Sequence, residues 1–293
     1  MKMVAVFALI CGGGGLFASQ VVTSDQNLLF RRYQEGEKLT YHMKGINENW
    51  HYEIQADGIV KKDSAGAYSE EYQWSNLISD NQKVVLPAAS VDFRQELTID
   101  PNHNPLFPNL SRVDTKLVGP ITDLMTIYID LWLAKKVGKL EKTGDHFYFK
   151  RSNTNSWADG NYTLIGEDSI DFDFILRDVD RADGTATLIV RHVPPEKPEV
   201  KIPAEWMRKP VADTANNWVQ VQKMQSGKYL AAMGKETFDD EIRLSLADGK
   251  ILSGTIHNPV VTVERECTDA ALTTCGAPRP HPILRQIEIS LVR

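Results

Sequence analysis

Cysteine is scarce in this chain, with three in 293 residues, which excludes a small scaffold knit together by disulfides. Positive charge is not in excess either. Lys and Arg number 33 against 39 Asp and Glu, for a net charge of −6, and no basic run stands apart. Binding a phosphate backbone needs a basic face, so nucleic acid is excluded as an expected partner. Also missing are GxSxG, HExxH, a GxGxxG ahead of a helix and a Walker-type loop. Those motifs place nucleophiles, zinc ligands and phosphate cradles, so no catalytic residue, metal set or cofactor is assigned. What remains is an ordinary globular composition, 42% hydrophobic and 25% charged, enough to bury a core of useful size.

The first residues, MKMVAVFALICGGGGLFA, read as a secretory signal peptide over residues 1–18, with Lys2 in the n-region and an apolar h-region behind it. Cleavage is expected after Ala18. A bulky Ile10 before Cys11 argues against lipidation there. The mature chain is then expected to be periplasmic or extracellular, with no integral membrane span. With Cys11 removed, Cys267 and Cys275 are left as an even pair in an oxidising compartment, and a disulfide is expected between them. The alternative, a metal held by both cysteines and His281, matches no standard zinc spacing.

One stretch reads as a long helix: Gly119 to Gly138, within GPITDLMTIYIDLWLAKKVGKL. Pro120 suits the first helical position, Asp123 the first turn, Lys135 and Lys136 the last turns, and Gly138 a C-cap. Apolar residues recur at Ile121, Leu124, Met125, Tyr128, Leu131 and Trp132, and Ile127, Ile129 and Leu133 extend them round the helix. A helix apolar on nearly every side is a buried one. Thr122, Asp123, Thr126 and Asp130 interrupt the run and argue against a membrane span.

Everything else reads as strands and turns. After a polar lead-in over residues 19–36, Leu39, Tyr41 and Met43 alternate with polar neighbours, as do Trp50, Tyr52, Ile54 and Ala56. Tyr72 and Trp74 share a face. SVDFRQELTID is read as a further strand, with Val91, Phe93, Leu97 and Ile99 on one side. Asp57-Gly58, Ser64-Ala65-Gly66 and Asp248-Gly249 are read as turns. Beyond the helix, SNTNSWADGNY reads as a loop, and SIDFDFILRDVD alternates through Ile170, Phe172, Phe174 and Leu176 before a hairpin into TATLIVRHV. Five prolines make Pro194–Asn217 a long irregular loop pinned by Trp206 and Met207. Residues 37–293 are expected to form a single β-rich domain, its halves 37–117 and 145–293 flanking a helix at 119–138. The expected fold class is mainly β (α+β): a large curved antiparallel sheet or open barrel packed on one long helix.

The chemistry-bearing residues are scattered. Asp178-x-Asp180-x-x-Asp183-Gly184 approximates a calcium loop but misses the spacing and lacks the closing glutamate. The seven histidines complete no triad or metal set, and those in strands are read as exposed. The layout of signal peptide, strand meanders, apolar helix and antiparallel returns is similar to the periplasmic lipoprotein- and lipid-carrier (LolA-like) fold. The resemblance covers most of residues 37–293, rests on layout without a shared motif, and implies an incomplete barrel over a helix plug. The expected function is a non-enzymatic secreted or periplasmic protein that binds an apolar small molecule or partner segment between sheet and helix, with Met125, Tyr128 and Trp132 lining the site. The alternatives are a structural module that docks on another envelope protein and a secreted hydrolase assembled from scattered Asp and His.

Overall fold

A computed structural model describes residues 29–48, 50–100, 103, 108–110, 112–137, 140–149, 155–157, 162–167, 171–193, 204–213 and 216–292. The signal-peptide reading, most of the lead-in and Gly138 lie outside these residues.

The strands are β1 (Lys38–Asn47), β2 (Trp50–Lys62), β3 (Tyr68–Ser79), β4 (Gln82–Lys83) and β5 (Gln95–Leu97), with a one-turn helix α1 (Ala88–Val91) between the last two. The long helix α2 (Thr115–Val137) follows. Then come β6 (His146–Phe149), β7 (Asn155–Trp157), β8 (Tyr162–Glu167), β9 (Asp171–Asp180), β10 (Thr185–Val193), β11 (Trp218–Lys223), β12 (Tyr229–Glu236), β13 (Phe238–Ser245), β14 (Ile251–Cys267), β15 (Arg279–Pro280) and β16 (Ile283–Leu291). All belong to one antiparallel sheet, so the expected fold class holds.

The sheet forks. Its spine runs β4-β3-β2-β1-β16-β14. One edge of β14 then carries two partners in succession, β13 along Ile251–His257 and β12 along Val260–Cys267. These two are a single chain stretch broken at Thr237, opposite Pro259, which has no N–H to give a ladder. From the break one arm continues through β10, β9 and β6, the other through β11, β8 and β7. Side chains restore the lost ladder bonds. Asn217 pairs with the Glu236 backbone in both directions, at 2.8 and 3.2 Å, and Asn258 Nδ2 donates to the Thr237 carbonyl at 2.8 Å.

The spine and the first arm share one core with α2, in which Tyr72, Trp74, Tyr128, Phe172 and Phe174 are fully enclosed. The window Thr115–Lys136 is long and apolar enough to cross a membrane, and 83% of it is buried inside the protein. The second arm packs a smaller core of Val219, Val221, Ala231 and Met233 against Met207, Leu272 and Cys267. Trp206 donates to the Leu272 carbonyl at 3.0 Å, so the described part of the proline-rich loop is pinned as expected. Cys267 and Cys275 are within bonding distance, with their sulphurs 2.04 Å apart.

Four local readings need correction. First, α2 begins at Thr115 rather than Gly119, because Asp114 caps it by accepting from Lys116 N at 2.9 Å. Pro120 therefore lies inside the helix, where the lost bond and ring clash cost about 3 kcal/mol. Burying Leu117 completely in the extra turn offsets part of that. Second, SVDFRQELTID is not one strand: α1 takes its start and only Gln95–Leu97 pairs with β3. Third, SNTNSWADGNY is not all loop, since Asn155–Trp157 pairs with β8. Fourth, Asp57-Gly58 is not a turn. The residues sit within β2, where Asp57 accepts from Thr40, Gln55 and Ser75.

Gly58 instead makes room for a ring. It faces Tyr72 across the strands, and a Cβ on it would lie 2.4 Å from that ring. Gly45 stands in the same relation to Tyr52, at 2.0 Å. Each tyrosine folds over its glycine and sends its hydroxyl towards the helix. Gly58→Ala is therefore expected to destabilise the protein by at least about 2 kcal/mol through overpacking. Urea denaturation should show this, with much of the loss recovered when Tyr72→Leu is added.

Candidate functional site

The inward face of an alternating strand should be apolar, and charged residues break that rule at several places in this sheet. In β3, Glu70 shares the buried face with Tyr72 and Trp74; in β13, Asp240 shares it with Phe238 and Ile242; in β16, Arg285 shares it with Ile287 and Ile289. The helix answers with Asp123, Tyr128, Asp130 and Lys135, all buried. Since Asp123 and Asp130 are two turns apart, they lie on one helix face. The result is two ionisable clusters on different sides of α2.

Tyr128 belongs to the first. Its hydroxyl donates to Glu70 and lies 2.7 Å from that of Tyr72, which also donates to Glu70, at 2.8 Å. Arg31, from the lead-in, closes the other side of Glu70 through Nε at 2.9 Å and reaches Glu37 at 2.6 Å. Burial opposes charge on Glu37, yet Lys250 at 2.5 Å and Arg31 together hold its carboxyl below the ordinary value. Burial pushes the Tyr72 and Tyr128 hydroxyls far up, and the charge of Glu70 adds to that. These phenols are donors, not proton acceptors. The lead-in thus straps β3 to the β13–β14 turn: Arg32 N donates to the Asp248 carbonyl at 2.8 Å. Gly249 there has φ +71°, and a Cβ on it would collide with the Phe30 carbonyl, 2.1 Å away.

The second cluster lies beneath the fork. Arg285 donates through Nε to Asp123 Oδ1 at 2.8 Å and makes a further bond through NH2. Tyr52 donates to Asp123 Oδ2 at 2.5 Å. Seven residues along, Asp130 Oδ1 lies 3.4 Å from His192 Nε2. His192 is stacked on Phe238 at 3.8 Å and meets the edge of Phe172; the reading of strand histidines as exposed fails for this one. Glu236, at the fork, accepts from Asn258 at 2.9 Å, and burial raises its pKa. Between the two ends, Gly254 lets Ile127 come close: a Cβ there would sit 3.3 Å from the Ile127 side chain.

The three residues read as ligand-binding are all buried on α2, but they meet different partners. Tyr128 is in the Glu70 cluster. Trp132 Nε1 donates to the carbonyls of Asp100, at 3.1 Å, and His103, at 2.6 Å. Met125 is buried in the main core. The calcium-like pattern from Asp178 to Gly184 spans the end of β9 and its turn into β10, where Asp180 Oδ1 accepts from Ala182 and Asp183 N, both at 2.9 Å. Among the described residues no three His, Cys, Asp or Glu side chains are arranged to hold a metal. A separate shallow groove on the second arm is lined by Trp218, Leu230, Ala232, Glu264, His281 and Ile283. Comparison with protein-family models, with curated proteins and with solved structures finds no match to this chain.

Proposed function

We propose that the protein is a non-enzymatic, secreted or periplasmic binding protein for an apolar guest, taken up between α2 and the sheet. The observation that carries the reading is α2 itself. The inward face of the spine and first arm already receives one apolar rod, a helix of membrane-span length and hydropathy. The contact is mixed: Arg285–Asp123, His192–Asp130 and Glu70–Tyr128 are buried in it. Buried ionic pairs hold less firmly than apolar side chains of equal volume, so a helix seated this way parts from its sheet more readily than an all-apolar one. A guest that replaces part of the helix contact gains about 25 cal/mol for each Å² of apolar surface it buries. Met125 and Trp132 are the helix residues it would meet.

The disulfide-distance pair Cys267–Cys275 is in keeping with an oxidising compartment. The test is native mass spectrometry of protein recovered from such a compartment, followed by organic extraction and titration with a fluorescent fatty acid. The expected result is a species of lipid mass, lost on extraction, and saturable rebinding that Trp132→Ala weakens about tenfold, a change of about 1.4 kcal/mol. A clean apo mass together with no saturable uptake of the probe would overturn the reading.

A further inference from the structure

Asp130 and Asp240 are the least provided-for groups among the described residues. Asp240 is 1% exposed and neither of its oxygens has a side-chain partner, the Glu241 backbone N–H being the one donor near it; Asp130 is equally buried and its Oδ2 has no partner. Most buried carboxyl oxygens are paired, so two carboxyls this poorly provided for in one neighbourhood require a cause. The neighbourhood is shared. Asp240 lies across from Val190 in β10, two residues before His192, and both point inward. His192 in turn contacts Asp130 on the helix. One carboxyl thus comes from α2 and one from the first arm of the sheet.

We propose that Asp130 and Asp240 share one proton, and that this proton latches α2 to the β13–β10 arm. Two like charges this deeply buried cannot both persist, whereas a single acid O–H donating to the opposing carboxylate pairs oxygens on both sides. Arg285 from β16 and Glu241 on β13 act on Asp240, and His192 from β10 lies against Asp130; Glu236 from β12, bonded to Asn258 of β14, is within reach of His192 and Arg285, and Asp123 stands two turns away on α2. Burial and the charge of Asp130 raise the Asp240 carboxyl well above its ordinary value, with Arg285 opposing. A carboxyl raised on folding stabilises the fold fully below its unfolded value, and that stability is lost as pH rises through the folded value. The latch is therefore closed at low pH and opens as pH rises. This inference stands whether or not α2 makes way for a guest.

The experiment is hydrogen exchange of α2 amides between pH 5 and 8.5, corrected for intrinsic exchange, in the full chain. It is run in a Lys135→Met background, since Lys135 on the far side of α2 titrates near neutrality with the opposite sign. The expected result is a fall in α2 protection with rising pH, by up to about tenfold per pH unit where one proton is lost. Asp240→Asn keeps a neutral donor in place and is expected to flatten the profile; Asp130→Asn, the same change from the helix side, serves if that variant does not fold. The infrared carbonyl band of a protonated acid should disappear in the same variants. A flat profile before substitution, or an unchanged slope in both variants, would overturn the proposal.

Discussion

Replacing Arg285 by methionine is expected to cost about 3–5 kcal/mol, the usual penalty for removing one partner of a buried ion pair. Arg285 is 7% exposed and donates through Nε and NH2 to Asp123, whose other oxygen is held by Tyr52. Without the guanidinium, Asp123 keeps a single phenol donor in the core, and Glu236 and Asp240 lose a nearby cation that opposes the burial-driven rise of both. The double variant Asp123→Asn/Arg285→Met removes the stranded charge as well. It is expected to be more stable than Arg285→Met alone, so that the two single losses do not add. Urea denaturation of the four proteins in the cycle at neutral pH measures this. Simple additivity would mean that the pair does not act as a unit and that α2 is seated by its apolar contacts alone.

The two ends of that pair differ in how far they can be read from the sequence. Alternation alone puts Arg285 on the face of Ile283, Ile287 and Ile289, Glu70 on the face of Tyr72 and Trp74, Asp240 with Phe238 and Ile242, and His192 with Leu188 and Val190. A charged residue in phase with buried apolar ones is a sequence signal for a buried partner, and it is the signal that would have found these clusters. The same period identifies the strands of the core, and the i, i+3, i+4 spacing from Ile121 to Trp132 identifies the helix that they enclose. Partners are another matter. Arg285 and Asp123 are separated by 162 residues and meet only because β16 crosses under the first half of α2. The fork is equally hidden, since it depends on β14 being long enough to take β13 and β12 in succession with Pro259 at the break. Asp57-Gly58 misleads for a related reason. Its glycine answers a tyrosine on the neighbouring strand, and no local rule anticipates a cross-strand ring.

Lys135→Met is expected to act in the opposite direction and stabilise the protein, by roughly 2–4 kcal/mol at pH 7. In the last turn of α2 a lysine would ordinarily complement the helix dipole from the surface. Lys135 instead is 4% exposed, and burial, with Arg31 adding repulsion, pulls its ammonium down to about 7; Glu70 and Asp100 only partly offset this. Moving an amine from 10.5 to about 7 corresponds to an upper bound of roughly 5 kcal/mol, at about 1.36 kcal/mol per pH unit. Methionine fills similar space and carries no charge to desolvate. The sign fixes the pH window. Because the folded value lies below the unfolded one, the unfolded chain holds a proton that the folded chain lacks between about 7 and 10.5, and this residue adds stability as pH rises through that range. Comparing urea midpoints at pH 7 and pH 9 keeps below the ordinary tyrosine pKa of about 10, so the raised phenols of Tyr72 and Tyr128 do not intrude. The stabilisation given by Lys135→Met should be largest at pH 7 and shrink by pH 9. A destabilised variant at both pH values would mean that the amine is held by Glu70 and Asp100 firmly enough to outweigh its burial, and that the Tyr128 side of α2 is latched by charge rather than strained by it.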